Sequence, residues 1–206
     1  MDSIDNVEGL VLYSEGTTEQ HVDAIGLVCP FLYYYANTFN CKHAQDVGRK
    51  MCEEYVRWGS DPITGIPVQT YDINNHVNLN HSNWGRGISW YLMGVLQMKS
   101  SDSIVKERVA LLETTLLLQK NHLYHQYFSQ GGIPDMSATI PVVYYLISKG
   151  RLTLSKKELT GLFSPYCDEY GVVRYCSPSI SFPHEGVQST IKSLQSQAML
   201  LYMLSF

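Results

Sequence analysis

An all-α fold of consecutive antiparallel helical hairpins is what this sequence predicts, and three observations predict it. Seven segments carry apolar residues at three- and four-residue steps or are bounded by helix caps. Polar loops join them, with only two short extended stretches between. No low-complexity linker or composition break interrupts the 206 residues, so 1–206 read as a single α/α-hairpin domain, and 45% hydrophobic content suffices for a core. Periodicity alone leaves a closed toroid and an ordinary bundle equally open.

The first helix runs from about Val22 to Asn37, "VDAIGLVCPFLYYYAN", with Pro30 placed to kink it. The second, "AQDVGRKMCEEYVRW", sets Val47, Met51, Tyr55 and Trp58 on one face. The stretch "GSDPITGIPVQTYDINN" follows, with a turn signal at Asp61-Pro62 and Gly65 and flanks that alternate like a short hairpin. A third helix starts near Gly85 and ends near Met98. The fourth, "SIVKERVALLETTLLLQK", opens on an Asp102/Ser103 cap. The fifth, "SATIPVVYYLISKG", stops at Gly150. A short helix at "SKKELTGLF", an extended "EYGVVRYCSP" and a last helix over "QSTIKSLQSQAMLLYML" complete the set.

Charge and composition exclude several classes. A net charge of −4 with no basic stripe gives no footprint for nucleic acid. No apolar run is long enough to span a bilayer. The acidic start "MDSIDNVEGL" lacks a signal pattern, so a cytoplasmic location is expected. The five cysteines are odd in number and form no CxxC, which favours reduced, packed thiols over metal or disulfide roles. No metal and no cofactor is expected.

Tyrosine occurs 15 times. Amphipathic rings suit a sugar-binding surface, and they equally suit a tyrosine-rich helical core, which is the better account of most of them. Two carboxylates stand out. Asp23 opens the first strong helix, where it is either an N-terminal cap or a catalytic acid favoured by the helix dipole. Asp72 ends "PVQTYD" without capping logic, before a polar loop with His76 and His81; it is either solvated or catalytic. "WGRGISW" places Arg86 and Trp90 four apart on one helical face, with Trp84 at the helix entry. A guanidinium fork suits a carboxylate and indole faces suit a sugar ring, which together describe a site for a uronic acid. The structural alternative puts Trp90 in the core and pairs Arg86 with a local acid.

At these residues the chain resembles the unsaturated glucuronyl and rhamnogalacturonyl hydrolases, glycoside hydrolase families 88 and 105. "HVDAIGLVCPFL" looks like the family's helix bearing a catalytic-site aspartate, which falls on Asp23. "DPITGIPVQTYD" looks like its "DPxTGL…HxxD" hairpin, whose final aspartate falls on Asp72, with Gln69 where the family has histidine. "WGRGISW" looks like "WxRGNGW", with Ile88-Ser89 in place of Asn-Gly, and "DMSATIPVVYYLISKG" looks like "SxTAMxAYAL..G". "QSQAMLLYML" fits the closing helix.

The resemblance implies an α/α six-hairpin toroid, here shortened by a third or more at the N-terminal side. It also implies hydrolysis of the 4,5-unsaturated uronic acid at the non-reducing end of an oligosaccharide. An acid protonates C4, water adds at C5, and the hemiketal collapses to release the sugar. On this reading Asp72 gives the proton, and Asp23 orients the sugar and raises the Asp72 pKa by like-charge proximity. Arg86 binds the uronate carboxylate, Trp84 and Trp90 wall the ring, and His81 and His21, with His76, line the pocket. An open toroid would cover its exposed helical faces with a partner, so a homodimer is expected there. The alternatives are a non-catalytic saccharide-binding or polysaccharide-assembly protein on the same scaffold, and a purely structural helical protein.

Overall fold

The computed structural model describes residues 6–7, 10–11, 16–80, 84–128, 134–177 and 193–205. Two minute strands, β1 (Asn6–Val7) and β2 (Leu10–Val11), pair antiparallel. β3 (Glu19–His21) leads into α1 (Val22–Phe39), which is followed by α2 (Lys42–Trp58). β4 (Thr70–Asp72) and β5 (Val77–Asn80) precede α3 (Gly85–Leu96) and α4 (Ser103–Leu117). α5 (Met136–Ser148), α6 (Lys156–Phe163) and α7 (Leu194–Leu204) complete the order.

The helices form two layers. α1, α3, α5 and α7 pack in succession, while α2 lies against α1 and α4, and α6 against α7. Within the inner layer the helices run parallel. Val22 meets Gly87 near the start of α1 and α3, and Ile25 meets Gly94 further along both. Ser89 of α3 donates to the carbonyl of Ala138, while Lys149 at the far end of α5 donates to the carbonyl of Leu96. Parallel inner helices are what alternating hairpins require, and they bring the N-termini of α1, α3 and α5 to one end. That end is where positive helix dipoles converge.

Each predicted helix is present, with ends shifted by a few residues. Pro30 is accommodated inside α1, which continues to Phe39. Asp102 caps α4 through Val105 N at 3.0 Å, and Ser155 with Glu158 forms a capping box on α6. The expected start of the last helix, 188–192, lies outside the described residues; the described part begins at Leu194.

The predicted hairpin around Asp61 takes a different form. Asp61 does close a turn, accepting from Ile63 N, Thr64 N and Thr64 Oγ1, with Gly65 at φ 72°. The turn is held by an isolated Ser60–Pro67 bridge, whereas β4 pairs with β3 on one side and β5 on the other. Sequence alternation marked the strand β4, but its partner β3 lies far upstream.

Tyrosine is chiefly a core residue here. Tyr55, Tyr71, Tyr91, Tyr124 and Tyr145 are fully buried, and Tyr55 stands edge-on to Tyr71 at 5.1 Å. All five cysteines are free, with Cys29 and Cys52 deep in the core. The contact with Cys52, with burial second, pushes the Cys29 thiol well up. On the outside, α1 exposes Leu27, Phe31, Tyr34 and Phe39. Among the described residues no helix is long and apolar enough to cross a membrane.

Candidate active site

The site sits where β3 turns into α1. β3 and β4 pair with Glu19 opposite Asp72, Gln20 opposite Tyr71 and His21 opposite Thr70. Side chains alternate along a strand, so Gln20 and Tyr71 point into the core, where both are buried. Glu19, His21, Thr70 and Asp72 share the opposite face. His21 stands between partners there, with Nε2 3.3 Å from Glu19 Oε2 and Nδ1 3.4 Å from Thr70 Oγ1. Val22 N then bonds the carbonyl of Gln69 at 2.9 Å, and α1 begins.

Asp23 lies in the first turn of that helix. It does not serve as the cap: the N-cap position is His21, and no side chain caps α1. The Asp23 Oδ1 is buried without a hydrogen-bond partner among the described residues. Burial lifts its pKa above the ordinary 3.8, opposed by the nearby charges of His21 and Arg86 and by its own backbone N–H. Desolvation wins although His21 and Arg86 both act to lower the value.

Asp72 has the opposite character. Its Oδ2 accepts from Thr18 Oγ1 at 2.6 Å and its Oδ1 from Asn75 N at 2.7 Å. These bonds hold its carboxyl below the usual value, the Thr18 hydroxyl first. The expected elevation by a neighbouring Asp23 is therefore absent. Asp72 ties the loop after β4 to the segment before β3, and it pairs two positions away from His21, about 7 Å along the strands. The bonds on Asp72 come from Thr18 and Asn75, while the charges acting on Asp23 are those of His21 and Arg86.

Arg86 comes from the first turn of α3, and its Nη1 donates to the carbonyl of Ser177 at 2.9 Å. That places a cation beside Asp23, as the lowering effect of Arg86 on the carboxyl records. The two indoles separate. Trp84 is 6% exposed, caps the entry of α3 and rests its ring against Gly87. Trp90, more exposed, lines a groove of about 370 Å³ with Pro30, Met93, Tyr144, Met199 and Tyr202. Of the two, Trp90 is the more exposed, one helical turn from Arg86, although neither Arg86 nor Asp23 lines its groove. His76 stacks on Trp58 at 4.3 Å, and His81 lies outside the described residues.

Solved structures share this fold. A structure from Salmonella enterica serovar Paratyphi A, described as a possible member of glycoside hydrolase family 105, matches 99% of this chain with a TM-score of 0.77 at 15% identity. A similarly described Klebsiella pneumoniae structure matches 94% with a TM-score of 0.70 at 14% identity. A family 105 glycoside hydrolase from C. acetobutylicum matches 96% with a TM-score of 0.69 at 17% identity, over 67% of its own length. The fold is an α/α toroid. This chain spans 61% and 57% of the first two structures. No protein-family profile and no curated protein sequence matches it.

In the toroid, the inner helices present Asp23 and Arg86 from their first turns, at the end where their N-termini meet. Two residues of this end escaped the sequence reading. Asp135 caps α5, and Ser177, in the extended segment after α6, supplies the carbonyl that holds Arg86. "DMS", an aspartate two residues before a serine at a helix start, is a cap signal that would have marked Asp135. Ser177 had no local signal, because its role comes from a contact with Arg86 across 91 residues of chain. Among the described residues no group of three or more His, Cys, Asp or Glu side chains is arranged to hold a metal ion.

Proposed function

We propose that this protein is a hydrolase that removes a terminal 4,5-unsaturated uronic acid from an oligosaccharide, with Asp23 as the proton donor. One observation carries the reading. Asp23 is a carboxyl group at the start of α1 whose Oδ1 is buried without a hydrogen-bond partner among the described residues and whose pKa burial raises, with the Arg86 charge nearby to suit the substrate's carboxylate. An acid that must protonate carbon needs a pKa near the working pH, and of the two candidate aspartates only Asp23 is shifted that way.

The chemistry follows from this geometry. Arg86 receives the uronate carboxylate with a charge-assisted bond, while Ser177 holds the other part of the guanidinium. The convergent helix N-termini favour the same anion. Asp23 delivers its proton to C4 of the C4–C5 double bond, and the ring oxygen supports the positive charge left at C5. Water adds at C5 and gives its proton back to the Asp23 carboxylate. The hemiketal at C5 then opens to a ketone, and the hemiacetal at C1 releases the aglycone alcohol. One carboxyl group thus gives and recovers one proton. Trp90 offers the stacking face. Asp72 orders the neighbouring loop. The fold neighbours described as glycoside hydrolases support a saccharide substrate.

The test is loss of the enol-ether absorbance of an unsaturated uronyl disaccharide. Arg86→Met is expected to raise KM about thirtyfold, the loss of one charge-assisted contact of about 2 kcal/mol. Asp72→Asn is expected to keep kcat within about tenfold, since its carboxylate only accepts hydrogen bonds from Thr18 and Asn75. A complete loss in Asp72→Asn would return the acid role to Asp72. Measurable saccharide binding with no turnover of any unsaturated uronide would instead favour a non-catalytic saccharide-binding protein.

A further inference from the structure

We infer that Asp135 is a positioning residue: from the cap of α5 it grips Ser177 and thereby fixes the guanidinium of Arg86 beside the first turn of α1. This rests on the reading of Arg86 as the cation that receives the uronate.

The Asp135 carboxylate is used far beyond what a helix cap needs. It is 4% exposed and takes four hydrogen bonds. Oδ1 accepts from Ser137 N at 2.8 Å, from Ser137 Oγ at 2.6 Å and from Ser177 N at 3.0 Å. Oδ2 accepts from Ser177 Oγ in a short contact. A serine or asparagine would satisfy the start of α5 without burying a charge. The second pair of bonds is what a carboxylate adds, and both go to Ser177.

Ser177 is itself 5% exposed and is held from two directions. Its N–H and hydroxyl point at Asp135, and its carbonyl accepts from Arg86 Nη1. A second strut, Met136 N to the carbonyl of Tyr175 at 2.9 Å, ties the same segment to α5. Both charges act on the buried Cys176 thiol. Burial first and Asp135 second push it up to about 11, while Arg86 draws it down, so both charges act on one place. An arginine side chain has about 2 kcal/mol of rotamer entropy to lose when a ligand orders it. Holding it in advance through a buried anion one peptide away removes that loss from the binding step.

The experiment uses Asp135→Ser, which keeps a strong N-cap on α5 but is too short to reach Ser177. Two readouts separate positioning from stability. The first is KM for the unsaturated uronyl disaccharide and for its methyl ester, which lacks the carboxylate charge. Asp135→Ser is expected to raise KM for the acid about tenfold, with the ester unchanged. A merely structural loss would affect both alike. The second needs no turnover: the Asp23 carboxyl titration, followed by carbon NMR with labelled aspartate. Arg86→Met sets the upward shift expected when that charge is removed, and Asp135→Ser is expected to shift in the same direction. Ser177→Ala, which removes only the Oγ link, is the second variant should Asp135→Ser fold poorly, with a smaller effect of the same sign. If no unsaturated uronide is turned over, the proposed activity fails while the titration still decides the positioning role. An unshifted Asp23 titration in Asp135→Ser or Ser177→Ala, or in Arg86→Met itself, overturns the inference, as does an equal KM rise for acid and ester.

Discussion

Asp23→Asn is expected to lower kcat about a thousandfold on an unsaturated uronyl disaccharide and, at neutral pH, to raise thermal stability. Both effects come from one cause. Asparagine keeps the shape of the side chain but has no proton to give to C4, and none of the neighbours His21, Thr70 or Glu19 occupies the Asp23 position at the start of α1. The stability effect follows from burial. In the folded protein the Asp23 pKa is raised above 3.8, so the folded state binds this proton more tightly than the unfolded chain does. The favourable contribution of the protonated group is complete below 3.8 and is lost as pH rises through the folded-state value. Above that value the wild-type protein carries a buried, partly unpaired carboxylate that the variant lacks. The advantage of Asp23→Asn in melting temperature should therefore appear at neutral pH and vanish below pH 3.8. In the wild type, kcat/KM should fall as pH rises through the same raised value, because the donor loses its proton. Asp72 gives the opposite sign: its lowered pKa makes its carboxylate stabilising at neutral pH, and that contribution is lost only in acid. A variant Asp23→Asn that keeps full activity, or that melts lower at neutral pH, contradicts this account.

Gly26→Ala is expected to destabilise the protein by about 3 kcal/mol, although alanine is the better helix former by about 1 kcal/mol. A Cβ on Gly26 would lie 2.4 Å from the carbonyl oxygen of Trp90 and 2.7 Å from its Cα, closer than real contacts allow. Gly94 makes the reciprocal approach, with its Cβ position 2.6 Å from Ile25 O. The obstructing atoms are backbone, so neither helix can yield without moving the other. α1 and α3 carry Asp23 and Arg86 in their first turns, so parting them also separates the acid from its cation. Gly161 of α6 is the control. Nothing lies within 4 Å of its Cβ position, and Gly161→Ala is expected to stabilise by about 1 kcal/mol. Denaturant unfolding of the two variants measures both signs.

Much of the fold was legible in the residues themselves. The apolar period of α2, the Asp102 cap of α4 and the Ser155–Glu158 box of α6 act within a turn or two of chain, and they fixed those helices where they were expected. The pairing of β4 was not legible, because β3 lies some fifty residues upstream and three residues of alternation carry no partner. The site was half legible. Arg86 and Asp23 stand out by their places at helix starts, and the packing of α1 on α3 brings the Arg86 charge near the Asp23 carboxyl. The proton-donor role falls on Asp72 only through the family resemblance, which carries no information on how each carboxyl is solvated in this chain.

The residue order alone determined that this chain makes amphipathic helices in hairpins, and it singled out Asp23, Asp72 and Arg86 as candidate site residues. The tertiary structure alone decided that the Asp23 pKa is raised and the Asp72 pKa lowered. A pKa is set by desolvation and by charges within a few ångströms; for Asp23 its buried setting on α1 raises it, against the lowering effects of His21 and of Arg86 on α3. For Asp72 they come from Thr18, brought across 54 residues by the β3–β4 pairing.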